Sequence, residues 1–258
     1  AATVDYYDIT ISQEIGTVSF GTLLTECITQ GLFCSAVHRG SAGDLFGSTD
    51  SYVSGTNVNV GYVRERGVDF SFDYQRSLSD FGLRNAGRVA LSFAGTYLES
   101  LKEQAAPGVP AYDCAGLYGL TCGFPRPHWR HTMRATWLAP PGTAIEGLGV
   151  SLRWRYIGSV GLDKNLTGTI LAQGKPDYVD AVLASRQYLD LTLSYQLKSQ
   201  DIAFRLGVNN LTGEDPPLTS TTGANAFANP QFFGDANTYP VLYDSLGRVV
   251  FLGVTANF

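Results

Sequence analysis

Arg248-Val-Val-Phe-Leu-Gly-Val-Thr-Ala-Asn-Phe258 is the stretch whose reading decides the fold. Val250, Leu252, Val254, Ala256 and Phe258 fall on one face of a strand, and Val249, Phe251, Gly253, Thr255 and Asn257 on the other. Side chains alternate with period two along a strand. A run of about ten residues is the length a tilted strand needs to cross a bilayer. The stretch closes on an aromatic residue, with no polar tail.

Working back, seven further segments repeat the pattern. Asp201–Asn210 puts Ile202, Phe204, Leu206 and Val208 outward, with Asp201, Arg205 and Asn209 inward. Arg186–Leu197 sends Leu189, Leu191, Leu193, Tyr195 and Leu197 out, against Asp190, Thr192, Ser194 and Gln196. Gly149–Tyr156 opposes Val150, Leu152, Trp154 and Tyr156 to Ser151, Arg153 and Arg155. His128–Trp137 opposes Trp129, Met133, Ala135 and Trp137 to Arg130, Thr132, Arg134 and Thr136. Arg88–Tyr97 has Val89, Leu91, Phe93 and Tyr97 opposite Arg88, Ser92 and Thr96. Val68, Phe70, Phe72 and Tyr74 alternate with Asp69, Ser71, Asp73 and Gln75, in a strand expected to begin near Asn57. The first strand is Asp5–Ser12, where Tyr7, Ile9 and Ile11 alternate with Tyr6, Asp8 and Thr10.

The connections fall into two classes. Leu78–Ala86, Ala139–Gly147 and Lys198–Gln200 are short; Gln13–Thr56, Glu103–Pro127, Gly161–Ser185 and Leu211–Leu246 are long. Short and long alternate strictly, as tight periplasmic turns and long outer loops do in outer-membrane barrels. This places both ends of the chain on the periplasmic side. Trp129, Trp137, Trp154, Tyr156, Tyr195 and Tyr74 lie toward strand ends on the apolar face, where an interfacial girdle belongs. If the sheet packed on a second sheet, they would be ordinary core aromatics, so a soluble β-sandwich is the competing reading.

Composition supports the membrane alternative. Charged residues make up 16% of the 258, below the roughly 25% of ordinary soluble chains. Aromatic residues make up 12%, and glycines number 29. No apolar run reaches the roughly 18 residues of a transmembrane helix. A β-barrel needs none, because only every second residue meets hydrocarbon. The net charge of −5 and the lack of a basic stripe argue against a nucleic-acid partner. Ala1-Ala-Thr-Val-Asp5 has no signal-peptide pattern, so the chain as given reads as mature or as an internal start.

Four cysteines lie in two long loops, Cys27 with Cys34 and Cys114 with Cys122. An exported protein meets an oxidising compartment. Two local disulfides are the simplest of three possible connectivities, each adding about 2–3 kcal/mol by loop closure. A zinc site competes, but neither spacing is CxxC and no histidine stands at a ligand interval from either pair.

The inward face carries Asp69, Asp73, Arg88, Arg130, Arg134, Arg153, Arg155, Asp190 and Arg205. Such charges are costly to bury unpaired in a small packed barrel. In a wide one they line water or meet a domain filling the lumen, and their mixed sign fits such pairing better than an ion filter. Enzyme motifs are absent: there is no GxSxG, HExxH, phosphate loop or dinucleotide fingerprint. His128 and His131 point to opposite faces of one strand. Asn165-Leu-Thr and Asn210-Leu-Thr match glycosylation sequons only by chance in a bacterial setting. Neither an enzymatic activity nor a cofactor is expected.

Four segments resemble the carboxy-terminal part of a TonB-dependent outer-membrane receptor. Val4-Asp-Tyr-Tyr-Asp-Ile-Thr-Ile11 resembles the strand before a cysteine-bearing outer loop. Asn59-Val-Gly-Tyr-Val-Arg-Glu-Arg-Gly-Val-Asp-Phe70 resembles the long strand with a Gly-(Val/Ile)-(Asp/Glu) signature. Leu206-Gly-Val-Asn-Asn-Leu-Thr212, with Asp215-Pro-Pro217 after it, resembles the penultimate strand and its exit. Tyr243-Asp-Ser-Leu-Gly-Arg-Val-Val-Phe251, running on to Phe258, resembles the final strand.

The resemblance spans the chain as a single domain, residues 1–258. It implies an all-β transmembrane antiparallel barrel of about 22 strands, plugged by an amino-terminal domain. It also implies residence in the outer membrane of a Gram-negative bacterium, import driven by the TonB complex, and Phe258 as the terminal signal for the barrel-assembly machinery. The ligand would be an iron-siderophore complex, cobalamin or an oligosaccharide. Tyr112, Tyr118, Phe124, Tyr178, Phe232, Phe233 and Tyr239 in the long loops are its candidate contacts. Ordered loops also use such rings to pack on themselves. The chain departs from the family pattern in holding about eight strands, with neither plug nor TonB motif, so it is expected to be a segment of a longer protein. A self-closed eight-stranded barrel with a structural or pore role is the second reading, though its lumen would be tight for so many arginines.

Overall fold

The computed structural model describes every residue except 14, 19, 46–48, 60, 173–174, 198–200, 220–236 and 257–258. Among the described residues its main sheet has nine strands, eight of them long: β1 (Ala2–Ser12), β2 (Tyr62–Ser77), β3 (Arg88–Gln104), β4 (Trp129–Leu138), β5 (Leu148–Ile157), β6 (Arg186–Leu197), β7 (Ile202–Asn209) and β8 (Val249–Ala256), with the short ninth, Tyr112–Asp113, paired to the end of β3. The eight long strands lie side by side in chain order, from β1 at one end to β8 at the other. Each of the pairs from β3/β4 to β7/β8 is antiparallel.

Register carries the sequence alternation across the sheet. Val150, Leu193, Leu206 and Leu252 form one row over β5–β8, and Leu152, Leu191, Val208 and Val250 another. On the opposite face Ser92, Arg134, Arg153 and Asp190 align over β3–β6, and Ser194 meets Arg205. A slip of one residue would exchange the faces of a whole strand. Leu206 is 47% exposed, Val254 60% and Leu252 73%. So much bare aliphatic surface on mid-strand positions has no place in water, and it is what a hydrocarbon-facing wall requires.

The aromatic residues sort by height. Trp129 and Trp137 are eight residues apart on β4, about 26 Å along the strand at roughly 3.3 Å per residue. At one level Trp129, Trp154 and Tyr156 gather round His131, whose Nδ1 accepts from the Trp129 indole N–H at 2.9 Å. This cluster covers Gly95, where a Cβ would sit 3.0 Å from both Phe93 and Trp129. At the other level the Trp137 indole N–H donates to Ala86 O at 2.8 Å. Both positions suit a side chain that is apolar in body and polar at the tip.

The long connections carry structure of their own. Short strands Leu117–Tyr118, Val160–Leu162 and Val182–Leu183 form a small sheet. With Ile157, Tyr188, Tyr239 and Tyr243 they enclose an apolar core. Contacts within the chain gather in two units, Ala1–Tyr7 with Gly67–Glu99 and Ala115–Phe258, and Asp8–Arg66 with Ser100–Cys114. The second unit contains helix α1 (Phe20–Gln30) and a small core of Val18, Leu23, Ala106 and Val109.

Two sequence expectations need correction. The second strand begins at Tyr62 rather than near Asn57; Asn57–Asn59 instead pairs with Ile15–Thr17. Gln13–Thr56 is more than a loop, because α1 forms inside it. The expected tight turn at Lys198–Gln200 and the terminal Phe258 lie outside the described residues.

Candidate functional site

The charged face of the sheet is the site the chain builds. Arg153 and Arg155 are two residues apart on β5 and therefore share a face, as do Tyr188 and Asp190 on β6. Register sets Arg153 opposite Asp190 and Arg155 opposite Tyr188. The Asp190 carboxylate, only 3% exposed, receives Arg153 Nε at 2.6 Å, Arg155 Nε at 2.9 Å and Arg155 Nη2 at 3.0 Å. The backbone N–H of Asn210 adds a bond of 2.8 Å. Arg155 then forks to Asp244, with Nη1–Oδ1 at 2.8 Å and Nη2–Oδ2 at 2.6 Å, and its guanidinium lies 4.9 Å from the Tyr188 ring centroid. Two guanidinium groups thus meet two carboxylates, and the charge closes within the network. Bidentate pairing of this kind is both strong and directional.

Beside the network is a cavity of about 560 Å³ whose lining includes Thr3, Asp5, Asp69, Arg130, Arg155 and Leu242. Thr3 and Ser71 share a hydrogen bond between their hydroxyls at its wall. Arg134 donates to Ser151 Oγ at 3.0 Å. Toward the short turns, a second hollow of about 810 Å³ is lined by Arg88, Arg76, Asp80, Glu146 and Gln196 among others. Asp69, Asp73, Arg88, Arg130 and Arg205 are exposed on this face, whereas Asp190 is buried. The nine charged residues expected on the inward face therefore do not form one cluster. Arg153, Arg155 and Asp190 are brought together; Asp69, Arg130 and Arg155 share the cavity; Arg88 belongs to the second hollow.

The loop aromatics divide as well. Tyr118 is fully buried and Tyr239 is 3% exposed, and their rings meet edge to face at 6.0 Å. The Tyr118 hydroxyl donates to Asp180 O. Phe124 packs on Tyr239 at 6.1 Å and keeps 39% of its surface exposed. Tyr178 is 85% exposed. Tyr112 bonds Glu103 Oε2 at 3.3 Å. Tyr118 and Tyr239 therefore fasten the loops rather than present surface, while Phe124 and Tyr178 are accessible. Phe232 and Phe233 lie outside the described residues.

Burial pushes the pKa of Tyr239 and Tyr243 upward. Asp177 is held below the usual carboxylate range by the backbone N–H of Asp180 and then by Lys164. Cys27 is bonded to Cys34, Cys114 and Cys122 are likewise disulfide-bonded, and no cysteine is free. Among the described residues no group of acidic, histidine or cysteine side chains is placed to hold a metal ion.

Asp244, Tyr188 and Asp163 escaped the sequence reading. Strand alternation alone pairs Tyr188 with Asp190, so that signal was present. Asp244 and Asp163 lie outside the long strands, where no period marks them. Asp163 is 1% exposed and accepts from the backbone N–H groups of Thr121 and Cys122 at 2.8 and 2.9 Å.

An apolar outer face, an aromatic belt, alternating short and long connections and a charged inner face define the wall of a membrane β-barrel. Residues 1–211 match the family model described as TonB dependent receptor-like, beta-barrel, and the chain belongs to that family. Among curated proteins no significant match is found. Solved structures share the fold at low identity. A mutant of the ferric enterobactin receptor of Pseudomonas aeruginosa, in complex with enterobactin, is 14% identical with a TM-score of 0.58, over 100% of this chain and 29% of that one. The FrpB iron transporter from Neisseria meningitidis is 14% identical, TM-score 0.53, over 98% of this chain and 28% of that one. The siderophore receptor PirA from Acinetobacter baumannii is 11% identical, TM-score 0.52, over 100% and 29%. The chain spans less than a third of the length of these relatives.

Proposed function

We propose that this chain is the carboxy-terminal barrel wall of a receptor in the outer membrane of a Gram-negative bacterium, importing an iron-siderophore complex with energy from the TonB complex. The observation that carries this reading is the charged face of the sheet. Its charges are balanced pairwise around Asp190, and open cationic, acidic and hydroxyl groups surround the neighbouring cavity. Such a wall suits a polar occupant and a hydrated path rather than a packed core. Family membership and the siderophore and iron receptors of similar fold support the ligand class. An amino-terminal plug would fill the lumen and carry the contact with TonB. The barrel-assembly machinery would insert the strands.

The test is uptake by the native bacterium with and without the gene that encodes this chain. Radioactive iron would be supplied as ferric enterobactin and as other ferric siderophores, under iron limitation. Loss of TonB-dependent uptake for at least one complex is expected. Loss of cobalamin or oligosaccharide uptake instead would keep import and replace the ligand. Unchanged uptake of every compound, together with ion conduction by the purified protein alone, would overturn import in favour of a small pore.

A further inference from the structure

We propose that Asp244 and Arg155 form an anion-opened latch, fastening residues 237–248 to the barrel wall until an oxyanion in the adjoining cavity takes the place of the Asp244 carboxylate. The segment is compactly folded: Leu242 N and Tyr243 N both donate to Tyr239 O, and Tyr239 and Tyr243 are buried in a core shared with Ile157 of β5 and Tyr188 of β6. Asp244 projects from it onto Arg155, so a residue of the last long connection is tied to the middle of the sheet. The same segment places Leu242 in the lining of the cavity to which Arg155 contributes.

The two carboxylates on Arg155 are not equivalent. Asp190 is 3% exposed and is also held by Arg153 and Asn210 N, so it is a fixed part of the wall. Asp244 is 22% exposed and comes from a loop. When Asp244 leaves, the guanidinium presents an open fork whose geometry matches a planar oxyanion. Arg153 and Arg155 then face Asp190 alone, and an incoming negative charge restores the balance. Arg130 adds a second cation to the same cavity, whose lining also carries the carboxylates of Asp5 and Asp69. A carboxylate-bearing ligand fits because it replaces the Asp244 carboxylate one for one on the Arg155 fork. The latch rests on the import reading only in taking the imported ligand as the source of that oxyanion.

Hydrogen exchange of amides 237–248 in the full-length receptor tests the latch without transport. Sodium citrate serves as carboxylate probe, against sodium chloride of equal ionic strength. In the unmodified receptor citrate is expected to raise exchange about tenfold over chloride, the ratio carried by one charge-assisted hydrogen bond. Asp244→Asn is expected to exchange at the raised rate in either salt, with β6 amides unchanged as the fold control. If β6 also loosens, Arg155→Lys, which keeps the charge and loses the fork, is expected to show the raised rate with β6 intact. Equal exchange in citrate and chloride, or a wild-type rate in the variant read, overturns the latch. Absence of siderophore uptake would count against the import reading alone, since these exchange rates do not depend on it.

Discussion

Arg153 and Asp190 face each other across β5 and β6, with Arg153 Nε 2.6 Å from Asp190 Oδ2. Because Asp190 is enclosed and Arg153 is not, the pair is asymmetric. Removing the carboxylate leaves two guanidinium groups opposed to Asp244 alone. Breaking a fully buried pair costs about 3–5 kcal/mol. With guanidinium groups 32% and 21% exposed, water screens part of this, and Asp190→Ala is expected to cost about 2 kcal/mol. Thermal unfolding of the purified receptor in detergent checks it, and an unchanged melting temperature would contradict the network's role.

Gly119 illustrates a backbone requirement. Its φ is +142°, and a Cβ there would lie 2.1 Å from Asp163 Oδ1. Gly119→Ala must displace the carboxylate that holds Thr121 N and Cys122 N, at about 2 kcal/mol for strain and lost packing. Limited proteolysis of residues 115–127 on intact cells should accelerate, while barrel melting stays constant. Equal cleavage rates would show that the loop tolerates the added carbon.

The Cys27–Cys34 bond closes a short loop at the end of α1. Loop-closure entropy gives it about 2–3 kcal/mol. Replacing both cysteines by serine should speed hydrogen exchange across Phe20–Gln30 and leave the amides of β6 and β7 untouched. Slower or unchanged exchange in the helix would contradict this local role.

Tyr239 and Tyr243 should mark alkaline behaviour. Burial raises both above the ordinary tyrosine value of about 10. Their contribution to loop stability is complete below that unfolded value and is lost as pH rises through the higher folded value. The tyrosinate absorbance missing from a Tyr239→Phe variant should therefore appear only well above pH 10. A difference spectrum that titrates near about 10 would mean the ring is solvated.

Much of the fold was legible because strand alternation is a local signal. Leu189, Leu191 and Leu193 announce their face without any knowledge of β5 or β7, and register merely aligns them with Trp154, Leu152 and Val150. The same alternation puts Arg153, Arg155 and Asp190 on one face with six other charged residues, and only register sets Arg153 opposite Asp190. Connections carry no such period. Phe20–Gln30 forms a helix by burying Leu23 against Val18, Ala106 and Val109, and two of those residues are distant in sequence. Asp244 is invisible for the same reason, since only the fold brings it to Arg155. Tyr118 and Tyr239 read as surface rings because an aromatic residue in a loop does not declare whether it meets ligand or its neighbours. His131 stands on the aromatic face, and its tie to Trp129 is a matter of geometry, not composition.

The central claim is that alternate residues of these strands face lipid and lumen. A nitroxide scan along Ile202–Asn209 in the full-length receptor, reconstituted in lipid bilayers, tests it most directly. Oxygen collision rates should peak at 202, 204, 206 and 208, and nickel-chelate collision rates at 203, 205, 207 and 209. A profile with no period of two, or with the phases exchanged, would contradict the account.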